Sequence, residues 1–385
     1  MSKVADLIEE VVYDKEFFHK MLKISLPIMM QNFISSFLNM IDTVMVGKLG
    51  ETEIAAVGIA NQYFFFFNMF LIGLCAGCGV FIAQFWGKGD IKNIKRIMGV
   101  GLISAIVVSL IFMFLGLYYP GKVIAFFNND QLVIDLGIRY LKIVIVSYIF
   151  TGITFVYNFS LRSIGKTTLP MVVSVVALLC NAFLNYVLIF GKFGAPAMGV
   201  EGAAHATVIA RVVETILLVA IVYLTKEVLA ASIRELADIN FEFVKKSYRT
   251  IFPVILNDIC WGLASLVYVA VYGRMGTQAV AAIQICNTIN SLFMVVTFGM
   301  SSAAAVMVGH NIGAGKECIA RDYAKRFTIL AVLMGIALGV LLALTSPLIL
   351  NIFNVSPAVR SSSQVILYIV SILFFARVLG ITLIV

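Results

Sequence analysis

The sequence predicts an all-α membrane protein in which two parallel repeats of transmembrane helices form two lobes. Of its 385 residues, 61% are hydrophobic and 12% are charged, whereas soluble domains average roughly 45–50% and about 25%. Several stretches of about 20 residues carry hardly a charge, and this length crosses a hydrocarbon core of ~30 Å. Residues 97–118, 171–190 and 327–348 are examples. An internal repeat then divides the helices into two lobes.

Hydropathy places ten helices along the chain. They are predicted at residues 22–46, 54–83, 97–118, 137–159, 169–190, 203–224, 250–272, 280–310, 327–351 and 363–385. The loops on the N-terminal side hold nineteen Lys and Arg residues, and the opposite loops hold six. The positive-inside rule therefore predicts a multi-pass protein of the inner (plasma) membrane with a cytoplasmic N-terminus. Five acidic side chains in the first twenty residues contradict the pattern of a cleaved signal peptide.

The sequence matches itself without gaps at an offset of 226 residues. Pro27 meets Pro253, Gly73 meets Gly299, and the register holds as far as Val370. An ungapped match of this length indicates duplication. Because six helices are an even number, both halves enter the membrane from the same side and the repeat is parallel. We expect the substrate path between the halves.

The charged stretch 226–249 is predicted to be the cytoplasmic linker between the repeats. It separates a cytoplasmic N-terminal segment (1–20) and a six-helix N-lobe (21–225) from a C-lobe (250–385). The C-lobe is predicted to hold about four helices. At the 226-residue offset a complete second repeat would run to about residue 450, so we expect the C-lobe to be incomplete by about two helices.

Several motifs occur in a specific order along the chain. They are Leu26-Pro27, the run 41–50 (IDTVMVGKLG), residues 161–165 (LRSIG), Asn181 with Asn185-Tyr186, residues 202–207 (GAAHAT) and residues 273–276 (GRMG). Together they resemble the multidrug and toxic compound extrusion (MATE) family from about residue 20 onward. The resemblance implies twelve helices in two lobes and export of amphipathic, often cationic, compounds in exchange for Na⁺ or H⁺. The shortfall of two helices is the main departure.

Four polar residues are predicted at similar depth in the outer half of the N-lobe: Asp42, Asn181, Asn185 and Thr207. An ionisable side chain in a membrane helix costs a few kcal/mol at least and therefore needs a function or a partner. Their oxygens are hard ligands suited to Na⁺, and the carboxylate could instead take up a proton. These positions resemble the family's N-lobe cation site. The alternative is an interhelical hydrogen-bond network.

A second membrane carboxylate, Asp258, lies beside Asn257 in the seventh predicted helix. Its repeat partner is Asn32, whereas the repeat partner of Asp42 is Tyr268. The two lobes therefore differ chemically. Members of the family resemble this chain in carrying an acid near this place, commonly a longer Glu. We predict a role for Asp258 and Asn257 in substrate or ion binding, with a structural hydrogen bond as the alternative.

The remaining polar residues indicate packing rather than chemistry. Arg211 and Glu214 are spaced to form an ion pair, and Gly73-x-x-x-Gly77 is typical of close helix contact. Cys75 and Cys78 lack further ligands at zinc spacing, so no metal site is predicted. The chain also lacks a phosphate-binding loop and a nucleophile with its base, so neither ATP use nor enzyme activity is expected.

The predicted function is secondary active multidrug efflux by antiport with Na⁺ or H⁺ through alternating access, without a cofactor. A flippase for lipid-linked saccharides is the alternative, but its cavity would be expected to carry several cationic residues. The net charge of +8 follows the membrane topology, so no nucleic-acid partner is expected. We expect small drug-like substrates, surrounding membrane lipids and a monomer.

Overall fold

The computed structural model describes residues 14–127, 130–274, 277–350 and 357–384, and every regular element in these ranges is an α-helix. They are α1 (Lys15–Gly47), α2 (Glu51–Lys88), α3 (Ile91–Tyr118), α4 (Pro120–Ala125), α5 (Gln131–Val144), α6 (Ser147–Ser163), α7 (Thr168–Phe190), α8 (Gly199–Leu224), α9 (Ile233–Ala237), α10 (Phe241–Arg274), α11 (Thr277–Gly313), α12 (Glu317–Leu350) and α13 (Pro357–Ile384). By length and composition, α1, α2, α3, α7, α8, α11, α12 and α13 can cross a membrane. The predicted all-α membrane fold is confirmed.

The fourth predicted helix, 137–159, is two helices, α5 and α6, which meet at residues 145–146. The break frees backbone groups that need partners in an apolar surrounding. Ser147 donates its hydroxyl to the Val144 carbonyl at the end of α5, at 2.6 Å. Ser109 of α3 donates to the Tyr148 carbonyl in the first turn of α6 at 3.1 Å, which links the start of α6 to α3. Hydropathy did not reveal the break because both sides of it are equally apolar.

Contacts within the chain group into two units. The first unit comprises Gln31–Gly262, and the second comprises the described residues of Met1–Met30 and Leu263–Val385. Helices α1 and α10 each contribute residues to both units. The predicted lobes were divided at the linker 226–249, whereas the structure assigns this segment and the first part of α10 to the first unit. The reason is that the segment packs on α3.

The segment that contains α9 carries acidic side chains opposite the basic end of α3. Ser232 and Glu235 form a reciprocal capping box at the start of α9. Glu235 also pairs with Lys95 at 2.7 Å, and Asp238 pairs with Arg96 at 2.7 Å. The hydrogen bond from Lys95 lowers the pKa of Glu235 to about 2 from a usual value of 4.5. Because this pKa is lowered, the pairing stabilises the fold above about pH 4.5 and is lost as the pH falls toward 2.

A close backbone contact with Gly99 of α3 also holds this segment, and we expect Gly99→Ala to detach it. A methyl group at position 99 would overlap the backbone carbonyl of Leu236. A backbone carbonyl cannot turn away as a side chain can, so α9 must move. Limited proteolysis within residues 226–240 should become about tenfold faster, which corresponds to the ~1–3 kcal/mol cost of overpacking. Gly58→Ala is the control, because nothing lies within 4 Å of its added methyl. Equal cleavage of both variants would contradict the prediction.

The first unit has an aromatic core along α2. Phe67 of α2 is fully buried and stacks on Tyr148 of α6, with ring centroids 4.5 Å apart. Tyr63 donates its hydroxyl to the Phe112 carbonyl at 2.7 Å, which satisfies the one polar atom of that ring. These contacts place α2 between α3 and α6. The residues of α2 that line the cavity described below include Ile54, Val57 and Phe64.

The second unit is packed through small residues of α12. Gly335 and Gly339 lie one turn apart. Because they have no side chains, the backbone of α13 comes close to them at Phe375 and Ser371. Such spacing lets two apolar helices approach closely. At the start of α1, the buried Phe17 ring packs on Phe327 of α12 with centroids 5.1 Å apart. The beginning of α1 therefore belongs to the core of this unit.

Candidate functional site

A cavity of about 410 Å³ lies within the first unit. Helices α1, α2, α5, α6, α7 and α8 form its wall. All four residues of the predicted cation site line it: Asp42, Asn181, Asn185 and Thr207. The structure therefore brings these residues together, while their role in binding an ion stays a prediction.

The polar residues of α7 and α8 form one stripe on each helix. On α7, Ser174, Asn181 and Asn185 are separated by two turns and one turn, so they share a face and are all buried. On α8, Thr207 and Arg211 are one turn apart on the face that lines the cavity. The rest of both helices is strongly apolar. Each stripe must therefore face a partner inside the unit, since lipid offers polar groups no hydrogen bonds.

Asp42 is held by an amide rather than by a cation. The Asn185 amide nitrogen donates to one Asp42 carboxylate oxygen at 2.8 Å and to the Asn181 side-chain oxygen at 3.3 Å. Asn185 is 2% exposed, and its own side-chain oxygen is buried without a hydrogen-bond partner among the described residues. A buried acceptor without a donor is rare in folded proteins. A bound cation would give the Asn185 side-chain oxygen a partner.

The donor set of the site is chemically suited to a small hard cation. It consists of a carboxylate, two side-chain amide oxygens and the Thr207 hydroxyl, which donates its own hydrogen to the Ala203 carbonyl at 3.0 Å. The Thr207 oxygen therefore keeps lone pairs for a ligand. Oxygen donors of this kind bind Na⁺-like ions, and the Asp42 carboxylate is also a proton acceptor. The residues present thus fit either coupling ion.

A second carboxylate, Glu214, lines the same cavity. Arg211 donates to one of its oxygens at 2.9 Å, which confirms the predicted ion pair. Ser174 of α7 donates its hydroxyl to the other oxygen at 2.8 Å. Glu214 is 4% exposed, so both oxygens of a nearly buried carboxylate are bonded.

A chain of hydrogen bonds extends this pair to α1 and α6. The Gln31 amide nitrogen donates to Ser174 at 2.7 Å, and Arg162 donates to the Gln31 side-chain oxygen at 2.6 Å. Sequence reasoning missed Gln31, Ser174 and Arg162 as members of the site. A signal was available, because Gln31 lies three turns before Asp42 on one face of α1. Neutral Gln and Ser side chains carry no charge that would have singled them out.

Asp258 and Asn257 are not among the residues that line this cavity. Asp258 is half-buried on α10, and one of its oxygens would lie 3.1 Å from a side-chain carbon at Gly73 of α2. Asn257 is exposed. Gly73 and Gly77 contact α10 directly, which confirms the predicted close packing of this glycine pair. The role of Asp258 and Asn257 in substrate or ion binding stays a prediction.

If the chain transports a substrate as the sequence predicts, Asp258→Asn should reduce transport only in part. The Asp42 site does not use the Asp258 carboxylate, so ion binding there should persist at the wild-type affinity. Initial rates of gradient-driven export and the apparent ion affinity, measured in the same proteoliposomes, separate the two effects. Asp135→Asn, which makes the same change at an exposed position on α5, is the control. A loss as complete as that of Asp42→Asn would contradict this expectation.

A sequence model of the MatE family matches the chain twice, over residues 27–187 and 253–384. The chain belongs to the MatE family. The two matches begin at residues 27 and 253, and 253 minus 27 is the 226-residue offset of the predicted repeat. Both the predicted duplication and the resemblance to MATE efflux transporters are thereby confirmed.

Individual MatE relatives match over most of this chain. The probable multidrug resistance protein NorM of Thermotoga maritima is 27% identical over 356 residues, which cover 92% of this chain and 76% of the relative. The probable NorM of Agrobacterium fabrum is 26% identical and covers 94% and 77%. A solved structure, the outward-facing conformation of a multidrug resistance MATE family transporter, has a TM-score of 0.85. It covers 94% of this chain and 80% of that chain at 20% identity, which shows the shared fold.

Membership of the family decides the class of protein. This MatE chain is a multi-pass membrane transporter and not an enzyme. Its cavity in the first unit is therefore a candidate site for an ion or a small molecule rather than for a reaction.

Proposed function

We propose that this protein is a secondary active multidrug efflux transporter. It exports amphipathic, often cationic, drug-like compounds in exchange for Na⁺ or H⁺ through alternating access. In this proposal Asp42 is the residue on which the coupling ion acts, with Asn181, Asn185 and Thr207 as the neutral oxygens around it. In this proposal the protein is a monomer in the plasma membrane, surrounded by lipids. Its N-terminus lies in the cytoplasm.

The contact between Asp42 and Asn185 is the observation that carries this proposal. It places a membrane carboxylate in a cavity next to a buried amide oxygen that has no hydrogen-bond donor among the described residues. A carboxylate that only bridged helices would have both of its oxygens bonded, as Glu214 has with Ser174 and Arg211. The names of the relatives, multidrug resistance proteins, support drug-like substrates.

A flippase for lipid-linked saccharides is not favoured by the site. Such a substrate carries phosphate groups, which call for several cationic side chains. Arg211 is the one cationic residue among those that line the cavity, and Glu214 neutralises it. The polar lining is instead dominated by neutral oxygens.

Dye efflux from everted membrane vesicles tests the proposed function. An imposed Na⁺ or H⁺ gradient should drive the dye against its own concentration gradient, and collapsing that gradient with an ionophore should stop it. Asp135→Asn, the control for Asp42→Asn, should transport as the wild type does. Accumulation that needs ATP, or that ignores both ion gradients, would contradict secondary active antiport.

A further inference from the structure

The charges that face the cavity of the first unit come from few elements. The titratable groups that line it are Asp42 on α1, Tyr140 on α5, and Arg211 and Glu214 on α8. Helices α2, α6 and α7 contribute only neutral side chains to the lining. Asp42 and Glu214 are the two carboxylates, and Arg211 is the one cation among these residues. A single guanidinium is thus available to two acids.

The two side chains of the Arg211–Glu214 pair differ in how tightly their surroundings hold them. The Glu214 side chain is 5% exposed and is also held by Ser174, whereas the Arg211 side chain is 30% exposed. A guanidinium has five N–H donors, and the pair uses one of its terminal nitrogens. The rest of the group borders open space in the cavity. If the pair separates, Arg211 moves and Glu214 stays.

Arg211 lies within reach of the Asp42 site along α8. It follows Thr207 by one turn on the same face, and residues so placed have Cβ atoms about 5–6 Å apart. Thr207 belongs to the predicted cation site. An arginine side chain is long enough to cover this distance to Thr207, and Asp42 lines the same cavity. The structure holds the Arg211 guanidinium in its Glu214-bound position.

We propose that Arg211 is an internal cation that pairs with Asp42 when the coupling ion is absent and with Glu214 when that ion is bound. This inference rests on the proposed function, because it assigns Arg211 as the competitor of the coupling ion. A bare carboxylate in a membrane helix is costly, and the exchange keeps Asp42 compensated in both states. It also makes ion binding displace a side chain of α8, so the ion distinguishes two arrangements of the protein.

Three purified variants test the exchange by structure and by Na⁺ affinity. Glu214→Gln keeps an oxygen for Ser174 but removes the charge that holds Arg211, so its structure should show Arg211 paired with Asp42. Its calorimetric Na⁺ affinity should fall by about tenfold, the effect of one unit charge at several ångströms. The double variant R211Q/E214Q removes the competitor without leaving an unpaired charge, so it should bind Na⁺ about tenfold more tightly than the wild type. Asp42→Asn should bind Na⁺ about 100-fold more weakly than the wild type.

The outcomes separate this inference from the proposed function. If Asp42→Asn weakens Na⁺ binding by about 100-fold but R211Q/E214Q binds Na⁺ no more tightly than the wild type, the exchange is overturned and the Asp42 site stands. If Arg211 remains beside residue 214 in the Glu214→Gln structure, the exchange is overturned as well. If the wild type does not bind Na⁺, the position of Arg211 in the Glu214→Gln structure tests the exchange by itself. Size-exclusion profiles that match the wild type ensure that folded proteins are compared.

Discussion

Asp42→Asn is expected to abolish gradient-driven efflux while the protein still folds and binds its substrate. The amide has nearly the same size as the carboxylate and can still accept the hydrogen bond from Asn185. It lacks the charge that attracts Na⁺ and the site that takes up H⁺. We expect the apparent ion affinity to fall by about 100-fold, which corresponds to ~2.7 kcal/mol. A ligand drives a conformational equilibrium only through its different affinity for the two states, so losing the ion contact removes the driving force.

Counterflow and gradient-driven uptake in proteoliposomes separate these two functions of Asp42→Asn. Exchange of drug across the membrane should continue, and accumulation against a gradient should stop. Asp135→Asn controls for the chemical change itself, since it lies exposed on α5. Should Asp42→Asn concentrate substrate at the normal rate, the first-unit coupling site would be wrong and Asp258 would become the better candidate.

The neutral members of the site should matter less than Asp42. Conservative changes at Asn181, Asn185 and Thr207 remove one uncharged oxygen each. Hydrogen bonds between membrane helices contribute about 0.6 kcal/mol on average, so the stability of the fold should change little. The apparent ion affinity should decrease by a smaller factor than in Asp42→Asn. Asn185 should show the largest effect of the three, because its oxygen is buried without a partner among the described residues.

Gly73→Val should destabilise the first unit by about 3 kcal/mol, the upper range for overpacking of a core. A side-chain carbon at position 73 would lie 2.6 Å from the Cα atom of Ile255. That atom belongs to the backbone of α10 and cannot rotate away, so α2 and α10 must separate. The same contact holds Asp258 close to α2, and its position should change too. Thermal unfolding in detergent measures the loss as a lower melting temperature.

Gly58→Val is the matched control for Gly73→Val, because it makes the same substitution within α2. Among the described residues, and apart from the neighbouring part of α2 itself, no atom lies within 4 Å of a side-chain carbon placed at position 58. Its melting temperature should therefore stay close to that of the wild type. A similar decrease in both variants would mean that valine itself, rather than the contact with α10, destabilises the helix.

Several features of this protein follow from sequence alone because they depend on local properties of the chain. The length of an apolar stretch decides whether a helix can cross a membrane. Eight of the ten predicted membrane helices correspond to helices long and apolar enough to do so among the described residues, and the exceptions are 137–159 and 250–272. The duplication is visible as an ungapped match between the two halves, in which Pro27 aligns with Pro253. The members of the Asp42 site could also be selected, because a carboxylate in an apolar helix stands out against its neighbours.

Other features were decided only by the tertiary structure. At the break between α5 and α6, Ser109 of another helix donates to the Tyr148 carbonyl and links the start of α6 to α3. The packing of α9 on α3 depends on the absence of a side chain at Gly99. The connection of Glu214 through Ser174 to Gln31 joins three helices. Such contacts depend on how each helix is rotated and shifted against the next, and hydropathy contains no information about either.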